Sequence, residues 1–154
     1  MIHLQKVGAE HGKELFEMRK RAFLPLLERY QDYDTNPAAE SWEKFQRFFL
    51  ESSDNYLICL GELPVGALRV VQLAEGEYRL SPISVLPEYQ GNGYAQQAVR
   101  EMEKLYPQAK SWSLDTIKQE PKLIHFYEKL GYCQTGKEDR IKAGMDLVFL
   151  EKHL

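Results

Sequence analysis

Residues 83–95 read Ile-Ser-Val-Leu-Pro-Glu-Tyr-Gln-Gly-Asn-Gly-Tyr-Ala, an apolar strand running through a glycine-rich turn into a helix. Gly91 and Gly93 let the backbone approach a ligand closely and adopt dihedrals closed to other residues. A helix opening here aims its unpaired N–H groups and positive dipole end at the turn. A phosphate or pyrophosphate suits that cradle. No Lys-Ser or Lys-Thr follows Gly93, so the P-loop pattern fails. The dinucleotide fingerprint fails as well, because Gln96 stands at its third glycine position. What remains is Q-x-x-G-x-A, met by Gln90, Gly93 and Ala95.

Other chemistry is sparser. His3, His11, His125 and His153 show no ligand spacing, and no metal site is expected. There is no G-x-S-x-G nucleophile motif. Cys59 and Cys133 sit in apolar, strand-like segments and read as buried, reduced thiols. Glu77, Asp115 and Glu138 are the candidate general bases; Asp115 leads, since it lies near the C-terminal end of a central strand. Residues 28–43 hold Glu28, Asp32, Asp34, Glu40 and Glu43 against Arg29, interleaved with Tyr30, Tyr33 and Trp42. An acidic, aromatic pocket would favour a cationic amine, with Tyr30, Asp32, Tyr33 and Asp34 contacting it.

These residues need elements to hold them. Ile2 to Val7 alternates as a strand. Residues 9–31 follow a helical period with Leu15, Met18, Ala22 and Leu26 on one stripe, and Pro25 predicts a kink or break. A second helix has Trp42, Phe45 and Phe49 on one face, and strands follow over 56–60 and 65–73. In the fourth strand Tyr78 and Leu80 fall on even positions but Ile83 and Val85 on odd ones, with Pro82 inside the slip. That phase change predicts a β-bulge. The third helix runs from about Gly93 to Leu105, with Tyr94, Ala98, Met102 and Leu105 toward the sheet. Strand five covers 112–116, helix four 120–130 with a Gly131 cap, and 132–141 with 143–151 form a final antiparallel pair. The order is βααβββαβαββ, an α/β fold with a mixed, bulged central sheet and helices on both faces, in one domain spanning 1–154.

The run V-x-P-x-Y-Q-G-x-G-Y-A at 85–95 resembles the acyl-CoA-binding motif of the GCN5-related N-acetyltransferase (GNAT) family. Leu-Ile-His-Phe-Tyr-Glu-Lys-Leu-Gly-Tyr at 123–132 is similar to that family's second signature. The resemblance covers roughly residues 78–135. It implies acetyl-CoA as co-substrate, with Gln90, Gly91, Asn92, Gly93, Tyr94 and Ala95 at the pyrophosphate. Ile83, Ser84 and Val85 would lie along the pantetheine arm, and Tyr127 would be the acid that protonates the departing sulfur. Glu120 stands where the family often has a cofactor-contacting Asn.

The resemblance implies acetyl transfer to a primary amine in a ternary complex, and the acidic, aromatic stretch at 28–43 adds the expectation of a small, cationic acceptor. The alternatives are a non-catalytic CoA-binding module and a transferase acting on protein lysines or N-termini. With 154 residues, 44% hydrophobic, the chain can bury a real core. The net charge of −3 argues against a nucleic-acid partner. No apolar run is long enough to span a membrane, and the N-terminus shows no export signal, so a cytoplasmic protein is expected. A homodimer is expected by analogy, pairing through an edge offered by the hairpin at 143–154.

Overall fold

A computed structural model describes residues 1–50 and 53–154, with side chains throughout these except at 48–50. The expected place of Phe49 on the helix face with Trp42 and Phe45 falls outside the described side chains. Seven strands form one sheet in the order β1-β2-β3-β4-β5-β7-β6. They are β1 (Ile2–Val7), β2 (Asp54–Leu60), β3 (Leu63–Ala74), β4 (Glu77–Val85), β5 (Ser111–Ile117), β6 (Cys133–Lys142) and β7 (Met145–His153). The helices are α1 (Gly12–Tyr30), α2 (Trp42–Lys44, continuing as a π-helical turn Phe45–Leu50), α3 (Tyr94–Leu105) and α4 (Pro121–Lys129). The order matches the pattern read from the sequence. Among the described residues only β4 and β5 pair in parallel.

Alternation of strand side chains gives the sheet two apolar faces. On one, Ala98, Val99 and Met102 of α3 and Tyr127 of α4 pack on Tyr78, Leu80, Trp112, Leu114 and Val148. On the other, Leu15, Phe16 and Met18 of α1 and Phe45 pack on Val7, Leu57 and Cys59.

The bulge lies where the hydrophobic phase slips. Leu68 pairs with Ile83 and Val70 with Leu80, so three residues of β4 span the same stretch as two of β3. Ser81 and Pro82 together stand opposite the single residue Arg69. Just beyond, β3 and β4 approach closely. A Cβ on Gly66 would stand 2.2 Å from the Ser84 carbonyl oxygen and 3.0 Å from Val85 Cα, so only glycine fits.

Four expectations change. α1 runs unbroken through Pro25, which is exposed; there the lost backbone bond leaves a carbonyl that water can satisfy. Leu105 is 49% exposed, because the last turn of α3 overhangs the sheet and Tyr106 takes the buried place. Cys59 is buried but Cys133 is exposed, since it sits on β6, whose residues are nearly all exposed. The hairpin strand at 145–153 is no edge: β7 lies between β5 and β6. The edge is β6, and its Lys137, Glu138, Asp139 and Arg140 are the kind of charge that discourages strand pairing.

Gly66→Ala should cost about 1–3 kcal/mol, the usual range for overpacking. For a chain of this size that lowers Tm by several degrees, roughly 2–4 °C per kcal/mol. Thermal unfolding measures it; an unchanged Tm would mean that β3 and β4 are not in close contact there.

Candidate active site

β4 and β5 pair only at Glu77–Ser111, Tyr78–Trp112 and Arg79–Ser113. Both strands continue, β4 to Val85 and β5 to Ile117. Beyond Arg79 each keeps its outer neighbour: β4 follows β3 as far as Val85–Gly66, and β5 follows β7 as far as Ile117–Leu147. Their facing edges therefore diverge without a ladder. On that side the backbone groups of Ile83 and the amide of Val85 are available to an extended, amide-bearing ligand, as in strand addition. The Ser84 carbonyl instead faces Gly66 of β3, so the expected contact of its backbone is not offered, and the Val85 carbonyl accepts from Gln90.

The opening leads to the glycine turn. β4 ends at Val85, a turn of 3₁₀ helix spans Pro87–Tyr89, and Gly91 (φ 82°) and Gly93 (φ 78°) carry the chain into α3. A Cβ on either glycine would meet nothing within 4 Å, so the space above them is open. Gly93 caps α3 without a side chain. The Gln97 amide takes the Gly93 carbonyl, and the amides before it, on Tyr94, Ala95 and Gln96, start the helix without an intrahelical acceptor. The Gln90 side chain donates to the Val85 carbonyl (2.9 Å), and that of Asn92 to the Tyr89 carbonyl (3.0 Å). Those two side chains brace the turn and leave main-chain amides for an anion. The site fits a diphosphate in shape and in donors.

Tyr127 lies on α4, 9% exposed, packed edge-on to Phe126 and Tyr132. Its hydroxyl has no hydrogen-bond partner among the described residues. Burial raises its pKa and the Asp115 charge adds to this, so the phenol keeps its proton at any working pH.

A family model for the Acetyltransferase (GNAT) family matches residues 13–132. The chain belongs to the GNAT acetyltransferase family. It is accordingly an acyl-CoA-dependent N-acetyltransferase. No curated protein matches the sequence. Solved structures share the fold. The ribosomal-protein-S18-alanine N-acetyltransferase from Escherichia coli is 17% identical, with TM-score 0.77, over 99% of this chain and 94% of that one. A chimera of the spermidine N-acetyltransferase SpeG from Vibrio cholerae with hSSAT is 15% identical, with TM-score 0.76, over 99% and 95%. A GNAT family acetyltransferase from Elizabethkingia anophelis, solved with acetyl-CoA bound, is 15% identical, with TM-score 0.70, over 99% and 98%.

The remaining candidates in this GNAT chain are spread out. Asp115 is held by Arg79 across the point where β4 and β5 part. Glu77 stands at the paired end of β4, away from the opening, and Glu138 pairs with Lys118 at 2.9 Å. Asp32 is 3% exposed and accepts from the Thr35 amide and hydroxyl, so it closes its own loop. Tyr33 is 64% exposed and bonds Gln31; Asp34 is exposed. Glu120 accepts two bonds from Arg29 (2.8 and 2.6 Å) and one from the Tyr30 hydroxyl. Both of its oxygens thus tie the end of α1 to the start of α4. Glu40 is paired to Arg19 at 2.6 Å.

Sequence reasoning missed Arg19, Arg69 and Arg79. An arginine on a strand or helix carries no local sign that it faces a cleft. The one usable signal was parity: Arg79 sits between Tyr78 and Leu80, so it must point to the opposite face.

Burial raises the Glu120 pKa, but the bonds from Tyr30 and Arg29 outweigh it and hold the carboxyl below its usual 4.5. A carboxyl held lower in the folded chain adds stability above its unfolded pKa and gives it up as pH falls through the folded value. Wild type should therefore melt above Glu120→Gln at pH of about 6 or higher, and the gap should close toward about pH 3. A gap independent of pH would show that Glu120 is not held as an anion.

Proposed function

We propose that the chain moves an acetyl group from acetyl-CoA directly to the primary amine of a small acceptor, both bound at once. One arrangement supports this: β4 parts from β5 beyond Arg79 and leads into the glycine turn before α3, while the buried phenol of Tyr127 on α4 lies near enough to Asp115 of β5 to feel its charge. In this reading the pyrophosphate rests on the amides at 91–95 and the pantetheine arm runs along Ile83–Val85. The neutral amine attacks the thioester carbonyl, and a main-chain N–H near the bulge stabilises the oxyanion. The C–S bond then breaks, and the sulfur takes the Tyr127 proton. The proton lost by the amine leaves through water or a base. Asp115 is the base candidate at the opening, engaged by Arg79.

The acceptor's charge is a separate matter. Composition favoured a cationic acceptor, yet Asp32, Glu40 and Glu120 are committed to local partners. Glu28, Asp34 and Glu43 stay exposed, so the attraction they offer is a screened surface one. Cytoplasmic action is proposed from the two unpaired thiols, one of them exposed. No helix among the described residues is long and apolar enough to cross a membrane.

Coenzyme A should bind by calorimetry; absence of any association would overturn the proposal. Tyr127→Phe should keep coenzyme A affinity and Tm, since the ring packing survives and no hydroxyl bond is lost. It should lower kcat about 10²-fold or more, as expected for loss of a general acid. An unchanged kcat with full binding would reduce Tyr127 to a packing residue.

A further inference from the structure

Arg79 is the last β4 residue paired with β5, so it stands where the cleft closes. Tyr78 and Leu80 point into the core under α3, and Arg79 alternates to the face covered by α1. Its side chain is 27% exposed, and among the described residues it makes a single contact, from one terminal nitrogen to Asp115. A guanidinium carries five N–H donors in a planar fork, so an edge matched to a carboxylate is left over.

The surroundings are cationic. Arg69 is bound through Nε to the Ser81 carbonyl at the bulge. Its pKa is lowered to about 10, first by burial and then by the charges of Arg19 and Arg79, which places the three guanidiniums near one another. Glu40 lies with Arg19. Across the cleft Phe149 pairs with Asp115 and so shares its face. Lys137 lies 4.4 Å from the centre of the Phe149 ring and has no ion pair among the described residues. Beneath α1 the cavity lined by Arg19, Ala67, Pro82 and Ser84 measures about 10 Å³, room for no more than one water. That cavity is too small for an acceptor, whereas Arg79, Asp115 and Phe149 share a face beside the opening between β4 and β5.

We infer that Arg79 is the specificity residue for an acceptor carrying a carboxylate, an amino acid or a close analogue, whose amine is acetylated. The inference rests on the acetyl-transfer reading. Arg79 takes the acceptor carboxylate on its free edge while Asp115 fixes the guanidinium plane. Phe149 offers an apolar wall to the acceptor's carbon chain, and Lys137 adds positive field at the rim. A polyamine would meet these cations while Asp115 and Glu40 are already paired with Arg79 and Arg19.

Free-thiol release from acetyl-CoA would be followed over a panel of amino acids, each beside the amine left when its carboxylate is removed, with spermidine included. At least one amino acid should exceed its decarboxylated partner in kcat/KM by about tenfold or more, as a charge-assisted, two-pronged contact allows. Arg79→Gln should erase that ratio, mainly by raising acceptor KM, and Arg79→Lys should restore part of it. Coenzyme A affinity, read by calorimetry, should hold in both variants and reports that they fold. The inference is overturned if spermidine or the decarboxylated amines are used as well or better, if Arg79→Gln leaves the ratio intact, or if coenzyme A binds yet no amino acid is turned over. If wild type fails to bind coenzyme A, the acetyl-transfer reading itself is lost, and this inference with it.

Discussion

Three residues of β4 cover the distance of two in β3 between Leu80 and Ile83. A bulge bends its strand and increases local twist. β4 must then follow β3 on one side or β5 on the other, and it follows β3, held by the close approach at Gly66. β5 stays with β7. The parting of the parallel pair in the sheet follows from that choice. Beyond Arg79 the facing edges of β4 and β5 carry no ladder. The site is therefore a defect in a sheet that the rest of the fold makes tolerable, with two apolar layers sealing both sides.

Ion pairs decide what the cleft is made of. α1 crosses the sheet by apolar packing, and its position is fixed by Arg19–Glu40, Arg21–Glu88 and Arg29–Glu120. Of these only Arg21–Glu88 is exposed on both sides, and such a pair contributes little stability singly. Their effect is geometric: they join α1 to the loop after it, to the turn before α3 and to the start of α4. They also withdraw Glu40 and Glu120 from any role toward a ligand. Of the acidity that looks like a cation pocket in the linear chain, Asp32 and Glu40 are bound to local partners in the folded one, and Arg79 stands at the vertex.

Tyr127 is a phenol held in place by packing. Its ring is part of the core with Tyr132 and Phe126, which fixes its direction. Burial raises the pKa of the phenol, so it is always available as a donor and never as a base.

The sequence alone carried the element order, because strand and helix periods, glycine caps and turn residues are local signals. It also carried the bulge, because a phase slip at Pro82 shows in the alternation of Tyr78, Leu80, Ile83 and Val85, and the glycine turn, because positive φ at Gly91 and Gly93 restricts residue type. The exposure of Cys133 and Leu105 could not be read that way; burial depends on which strand ends at the edge and how far a helix overhangs. The partners of Asp32, Glu40, Asp115 and Glu120 were equally hidden. Glu120 lies 91 residues from Arg29 and Asp115 lies 36 from Arg79. Charges find each other across such separations only after the backbone has brought their strands and helices together, so tertiary structure decided which of them remain to meet a ligand.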